Sequence, residues 1–364
     1  TATIRLRFTE VELSGGWLLK LKGVTDDPIV WQTNHLTGAP TPVSEQTGIP
    51  FEVPSVGFFL NLPALSAEDG QTGAFWLGAA PGWSLDNTKW RGAVIYRSSD
   101  GVTFTDYAAI TTAVAWAKAT TVLPVNERWG VWDEDNALDV LLQSAGLEFE
   151  SRTELEVLDG ANLLLVGQEI IQFADAEQLG PSEWRLSKLL RGRRGTEWAM
   201  ATHQVGEVVL VLDAATLTRS SSLDGVGLAR FYRAASIGSD PSLPAALTFT
   251  NEAASLKPYA PVHLQGSRNG GGDLTVTWVR RTRFSGEWRD LVDVPLNEAS
   301  EAYEVDVLDE NGLVMRTLSS TSPSAVYAAA DQTADFGAPQ GAVDVSVYQI
   351  SAGVGRGFAG RTTL

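Results

Sequence analysis

The chain has 364 residues, a formal net charge of −17 and no cysteine, with a mass of 39.0 kDa and a pI near 4.6. That acidity excludes general affinity for nucleic acid or anionic membrane, because counterion release needs a basic face. Without thiols there are no disulfides and no thiolate metal sites.

The length suffices for two or three domains, and a hydrophobic fraction of 44% supports packed cores. No apolar run approaches the roughly 18–20 residues that cross a bilayer, and nothing at the N-terminus reads as a secretory signal. Opening on Thr1 without a methionine, the chain is expected to be a trimmed or excised part of something larger.

Period-two alternation, punctuated by Gly, Asp-Gly and Pro, predicts an all-β, mainly antiparallel protein. TATIRLRFTEVEL turns at Ser14–Gly16 into WLLKLKGV, a hairpin expected to continue through Pro28, Ile29 and Val30. Residues 33–50 are a turn-rich loop. VGFFLNLPAL, GAFWLGAAPG and GAVIYRSS follow as strands, and Asp100-Gly101 predicts a hairpin into VTFTDYAAI. Further strands are expected at LDVLLQSAGLEFES, LEVLDGANLLLVGQEIIQFADAEQL, EWRLSKLLRG, VGEVVLVLD and ARFYRAAS, with a tight turn at Asp159-Gly160.

Lys257-Pro258 marks a boundary. Beyond it, seven short strands, at APVHLQGSR, DLTVTWVRR, AYEVDVLD, LVMRTLSS, SAVYAAA, VDVSVYQIS and RTTL, and an inward tryptophan on the second predict an immunoglobulin-like sandwich of fibronectin type III kind. The expected domains are residues 1–128 and 129–258, two β-rich sandwich- or barrel-like modules, and 259–364, the sandwich. A long connection, RTRFSGEWRDLVDVPLNEAS, makes Trp288 and Arg289 candidates for a packed or recognising loop. Twelve tryptophans are many; Trp83, Trp90 and Trp288 are candidates for glycan stacking or an interface.

Catalytic signatures are scarce. His35, His203 and His263 lie in three separate regions, outside any HExxH spacing, and each is expected in a turn or at the surface. No G-x-S-x-G elbow occurs, and the paired carboxylates of a glycosidase say nothing among 44 acidic residues. No catalytic residue and no cofactor are therefore expected. GRGFAG at 355–360 fits G-x-G-x-x-G literally, but a dinucleotide site needs a following helix and parallel strand. Its glycines are expected to let the chain turn into its last strand. In WDEDNALD, Asp133, Asp135 and Asp139 are a weak metal candidate lacking the glycine and distal glutamate of a calcium loop. A solvated acidic turn is the favoured reading there.

The loop LLRGRRGTEW gathers Arg191, Arg193 and Arg194 beside Glu197. Three guanidiniums can bind an anion or a partner; pairing with nearby carboxylates, as in a rigid turn, is the reading that composition favours.

This loop and what precedes it, GANLLLVGQEIIQFADAEQLGPSEWRLSKLLRGRRGTEW, resemble the tail-tip hub proteins of siphophages and gene transfer agents, the "megatron" proteins akin in role to the lambda tip attachment protein. WVRRTRFSGEWRDLVDVPLNEASEAYEVDVLD, AADQTADFG and VYQISAGVGRG resemble the terminal module of the same proteins, and residues 70–108 resemble the part before it. The resemblance implies a structural virion component at the distal tail tip, made in the host cytoplasm and serving assembly, host attachment and DNA delivery. It implies a homotrimer meeting the distal tail protein, other tail or baseplate proteins and a host surface glycan, with no sequence-specific nucleic acid and no membrane-spanning segment. Some relatives carry a glycoside-hydrolase-like α/β barrel ahead of this region. Nothing here reads as that barrel, so hydrolase activity is not carried over, and a C-terminal piece of such a hub is expected. The alternatives are a carbohydrate-binding adhesion module and a fragment of a phage-borne polysaccharide hydrolase.

Overall fold

Alternation becomes antiparallel sheet throughout the computed structural model, which describes residues 6–14, 18–26, 53–82, 90–128, 130–220, 225–286 and 292–364. The protein is all-β, with a closed six-stranded barrel and several open sheets. Two compact units divide it, residues 1–51 and 52–364.

The described part of the first unit is a hairpin of β1 (Leu6–Ser14) and β2 (Leu18–Thr25). Val11 faces Leu21 across it, while Glu10 faces Lys22 and Glu12 faces Lys20. A bulge between Phe8 and Glu10 shifts the register. It brings Leu6 and Phe8 to the same face as Val11, because one extra residue reverses the side-chain parity. Pro28–Val30 and the loop at 33–50, with His35, lie outside the described residues.

The second unit opens with β3 (Ser55–Leu60), a short helix α1 (Asp69–Thr72), β4 (Trp76–Pro81), β5 (Ala93–Ser98) and β6 (Thr105–Ile110). The turn at Asp100-Gly101 joins β5 to β6 as an antiparallel pair, with Gly101 at φ 74° and Asp100 accepting from the amides of Val102 and Thr103.

The barrel is built from β7 (Trp116–Ala119), β8 (Trp132–Leu142), β9 (Leu163–Val166), β10 (Glu169–Gly180), β11 (Glu183–Arg193) and β12 (Val208–Val211), closed in the order β10-β11-β8-β7-β12-β9. Leu164, Val166, Ile171, Phe173, Leu186 and Val209 fill its interior. Leu165, Ile170 and Leu210 point outward, yet they are buried against Phe58 and Trp76 of the β3–β4 sheet. LLLV and VVLV are thus continuously apolar because both of their faces are covered.

After the barrel come β13 (Thr218–Arg219), β14 (Ala229–Ser236) and β15 (Leu247–Thr250). They return to strands laid down earlier in the chain: β13 pairs β4, and β14 lies between β5 and β15. Residues before and after position 128 therefore share sheets, and β7 itself belongs to the barrel.

From Val262 onward the chain forms a sandwich. β16 (Val262–Arg268), β17 (Leu274–Val279) and β20 (Ser324–Tyr327) make one sheet; β18 (Tyr303–Leu308), β19 (Val314–Ser320), β21 (Asp344–Ser351), β22 (Gly355–Arg356) and β23 (Gly360–Thr363) make the other. A three-stranded sheet facing a larger one, with hairpins and crossovers in this order, is the fibronectin type III arrangement. Trp278 on the second strand is buried, edge-on to Tyr303 at 5.1 Å between ring centroids.

Three expectations about local structure are corrected. LEVL is not strand: Glu154–Leu158 is a short helix, α2, started by a reciprocal capping box between Thr153 and Glu156. SAVYAAA ends as strand at Tyr327, and a helix, α3 (Ala329–Phe336), follows. Its buried Gln332 donates to the carbonyls of Gly272 and Tyr327, which ties the helix across the end of the sandwich. WDEDNALD is not a solvated turn but part of β8, bulged opposite Lys188.

Candidate functional site

Strand parity explains the arginine loop. Along β11, Trp184 and Leu186 point into the barrel; the bulge at Lys188 (φ 53°) resets the phase, and Leu189 then Arg191 point inward. Arg191 consequently enters the barrel at the end where β8, β10 and β12 begin and β7, β9 and β11 finish. It is the largest fully buried side chain among the described residues.

A charge in that position must be matched. Arg191 Nε and Nη2 donate to the two oxygens of Glu169, the first residue of β10, at 2.9 and 2.8 Å. Nη1 donates to the Pro124 carbonyl at 2.8 Å and to Asp133 of β8 at 3.3 Å. Glu169 also accepts from the Gly192 amide at 2.6 Å and bonds His203 Nε2 at 2.6 Å. The other ring nitrogen of His203 meets Glu207 at 2.8 Å. Asp133 is completed by the backbone and side-chain nitrogens of Asn136.

The environment sets the protonation of this cluster. Burial opposes the charge on Glu169, but hydrogen bonds from His203, Arg191 and Gly192 outweigh it and hold the carboxyl below its ordinary value. Asp133 is depressed in the same way, with Asn136, Asn126 and Arg191 overcoming its burial. For His203 burial disfavours the imidazolium; Glu169 and Glu207 prevail and push its pKa up to about 9. His203 is therefore a doubly hydrogen-bonded cation with a side chain 1% exposed; it lies in the connection leading to β12, beside a turn, but its ring is not at the surface. His263 is exposed.

The remaining residues of the loop face elsewhere. Arg193 Nε donates to Gln172, whose amide caps the Val157 and Ala161 carbonyls at the end of α2. Arg194 takes the left-handed conformation at φ 58°, between Gly192 at φ 58° and Gly195 at φ 78°. A Cβ on Gly195 would lie 2.6 Å from the Tyr259 ring, so glycine here is also a matter of close approach. Glu197 is bound by Arg281, which donates through Nε to the Ala260 carbonyl at 2.7 Å. The loop thus has two ends with two tasks: one closes the barrel, and the other grips the start of the sandwich.

That grip is extended by residues sequence reasoning missed. Arg283, 6% exposed, donates to the carbonyls of Gly70, Ser255 and Asn297 and pairs with Glu298. The Tyr259 hydroxyl donates to the Arg283 carbonyl at 3.2 Å, and burial pushes the Tyr259 pKa up to about 12. In GRGFAG, Gly357 and Gly360 lie so close to Pro258 and Pro261 that a Cβ would meet the carbonyl oxygens at 2.4 and 2.2 Å. Phe358 between them stacks on Trp198 at 5.4 Å. These glycines serve contact with the linker as well as the turn.

The three aspartates of the weak metal candidate separate. Asp133 is taken by Arg191 and Asn136, Asp135 pairs with Arg128 at 3.7 Å, and Asp139 is held bidentately by Arg185. Among the described residues no group of three or more His, Asp or Glu side chains is placed to hold a metal ion. Trp90 is half-buried and donates to Ser55 at 2.8 Å. Trp83, Trp288 and Arg289 lie outside the described residues. Trp198, the last residue of LLRGRRGTEW, is 41% exposed beside its stack on Phe358, an aromatic surface not among the tryptophan candidates of the sequence.

Residues 114–210 match the model of a family described as "Rcc01698-like, C-terminal". No curated protein matches. Among solved structures, a chain from "Cytokine receptor complex - Crystal form 1A" is similar at 16% identity and a TM-score of 0.22, covering 63% of this chain and 90% of that one. The "chicken CNTN1 FN1-FN3 domains" are similar at 10% identity and a TM-score of 0.22, covering 80% of this chain and 93% of that one.

Proposed function

We propose that the chain is a structural part of the distal tail tip of a phage or gene transfer agent particle, working as rigid β-modules in assembly, host attachment and DNA delivery. The observation that carries this reading is that the resemblance and the family match fall on one element. The stretch resembling tail-tip hubs, Gly160 to Trp198, supplies β9 to β11, and the family match at 114–210 spans the same barrel from just before β7 into β12. Rigidity supports it: the barrel end is locked by matched buried charges, Arg191 being held by Glu169 and Asp133 and Arg193 by Gln172. In this reading the protein assembles as a trimer with the distal tail protein and other baseplate proteins, and it resides in the virion. It needs neither a catalytic group nor a cofactor.

Electron microscopy of purified particles with this chain tagged is the test. Density for the tag at the tail tip is expected; a chain abundant in the producing cell but absent from particles overturns the proposal. A second reading, a glycan-binding adhesion surface, is favoured by the exposed Trp198–Phe358 stack with Lys257 beside it. Glycan-array binding that disappears in Trp198→Ala is the outcome expected of it, and a blank array removes it.

A further inference from the structure

The sheets of the second unit bury their apolar faces, and the hairpin β1–β2 does not. Leu6, Phe8, Val11, Leu19 and Leu21 share one face of it, each 45–61% exposed. The other face is charged, with Glu10 opposite Lys22 at 3.5 Å and Glu12 opposite Lys20. Neither β1 nor β2 pairs with a third strand among the described residues. A lone two-stranded hairpin is marginal in water, and an open edge is a template for another strand.

The shape, charge and size of the hairpin say what covers it. The bulge between Phe8 and Glu10 lies where Gly23 faces Phe8, and Thr9 Oγ1 donates to the Lys22 carbonyl at 3.2 Å. A Cβ on Gly23 would come within 2.6 Å of the Arg7 carbonyl oxygen, so only glycine lets the strands approach there. A bulge facing a glycine is the device that curls a sheet toward closure. Charge then selects the edge that each strand accepts. Pairing between copies must keep apolar residues on one face, so charged residues meet charged residues. β1 beside β1 sets Glu10 and Glu12 against glutamates, and β2 beside β2 sets Lys20 and Lys22 against lysines; like charges opposite each other are destabilising. Only β1 beside the β2 of another copy sets glutamate against lysine. Head-to-tail contacts of that kind close into rings. Size excludes simple stacking of two hairpins. Eight paired positions at about 3.3 Å each, on two strands about 4.8 Å apart, give a footprint on the order of 250 Å². A stable interface takes roughly 800 Å² per partner, and stacking leaves every edge open.

We propose that the hairpins of three copies of this chain pair head to tail, β1 of each with β2 of the next, into a six-stranded barrel lined by the apolar face. Barrel diameter grows with strand number, and six is the number that this chain closes around aliphatic side chains in its own barrel. The copy number also rests on the trimer of the tail-tip reading; the pairing rests on the hairpin alone.

Analytical ultracentrifugation of the full chain over a wide concentration range is the first test, and the mass of three copies is expected. Val11→Lys/Leu21→Lys puts lysines on the lining and should weaken association about a hundredfold or more, with circular dichroism still that of a folded β protein. The second test is Glu10→Lys/Glu12→Lys/Lys20→Glu/Lys22→Glu, which keeps opposite charges facing each other within the hairpin and reverses only what a neighbouring copy meets. Alone it is expected to assemble as wild type does. Co-expressed with wild type it should sort into separate trimers by native mass spectrometry, because a mixed junction sets like charges together. A wild type that stays monomeric or stops at a dimer overturns the proposal. So do mixed trimers in statistical proportion or in excess, which mean that β1 does not meet β2 of the next copy. A trimer that survives Val11→Lys/Leu21→Lys also overturns it, and leaves the tail-tip reading standing on other contacts. Absence of the chain from particles overturns that reading and leaves this ring intact.

Discussion

The barrel and the sandwich each fasten one arginine to two acidic side chains: Arg191 to Glu169 and Asp133, Arg356 to Glu304 and Asp306. The chemistry is the same and the setting is not. Arg191 is 0% exposed on its side chain and Arg356 40% exposed. In the barrel the charges replace part of the apolar filling at one end, so each must be matched or the end cannot close. In the sandwich, Val305, Val307, Val345, Val347 and Tyr327 already form a dry core, and the ion pair lies outside it. A buried ionic end specifies one arrangement of the barrel strands; an exposed pair decorates an arrangement settled by packing.

The sharpest way to break this contrast is Arg191→Met. It leaves Glu169 and Asp133 buried and His203 with one overloaded partner, and a broken buried pair costs about 3–5 kcal/mol. Denaturant unfolding should show a loss of that size, and Arg191→Met combined with Glu169→Gln should recover part of it. A loss below about 1 kcal/mol would place the cluster in the same class as a surface pair.

The second prediction uses pH. His203 has its pKa raised from an ordinary 6.5 to about 9, so the folded state holds a proton that the unfolded chain releases earlier. Its contribution is complete below pH 6.5 and disappears as the pH rises through about 9, amounting to about 3 kcal/mol. Glu169 and Asp133 are depressed, and theirs is present above the ordinary carboxylate range and lost on acidification. Urea unfolding from pH 6 to 10 should show the alkaline fall in wild type and a flat profile in His203→Gln. An equal fall in both would detach it from this histidine.

How much of this was legible differs between the two regions for the same physical reason. The sandwich strands are short alternating runs with turns between them, so local sequence places them, as it places the Asp100-Gly101 hairpin. The barrel end is made of residues far apart: Glu169 meets His203 across 34 positions and Asp133 meets Arg191 across 58. Nothing local distinguishes Arg191 from Arg193 and Arg194 unless the strand phase is carried through the bulge at Lys188. The helix α2 had a signal, Thr153 with Glu156 three residues on, masked by the alternation of LEVL. For α3 there was none, because Ala328 supplies no cap and Gln332 is held by residues of the sandwich.

The join between the regions gives the third prediction. Gly360→Ala adds a methyl 2.2 Å from the Pro261 carbonyl oxygen, a backbone atom that cannot yield like a flexible side chain. Overpacking of this kind costs about 1–3 kcal/mol. The expected result is a lower unfolding midpoint together with faster proteolysis near residues 258–261; a variant that matches wild type in both would mean that the linker gives way freely.

The smallest effect belongs to Arg356→Met. Its guanidinium donates to Asp306 through both terminal nitrogens, at 2.6 and 2.9 Å, and to Glu304 through Nε at 2.6 Å, while lying over the Tyr348 ring. These contacts, with the hydrogen bond to Asp306 first, raise the arginine pKa further. Yet solvent reaches the group, and exposed pairs contribute about 0–1 kcal/mol after screening. The variant should therefore lose less than about 1 kcal/mol, and the loss should shrink as salt is added. Asp306, 2% exposed, still accepts from Thr317 when the arginine is gone, which is why its burial does not turn the loss into one of the size expected at Arg191. A loss near that of Arg191→Met, unchanged by salt, would show that covering the carboxylate alone is enough to make such a pair indispensable, and the contrast between the two regions would fail.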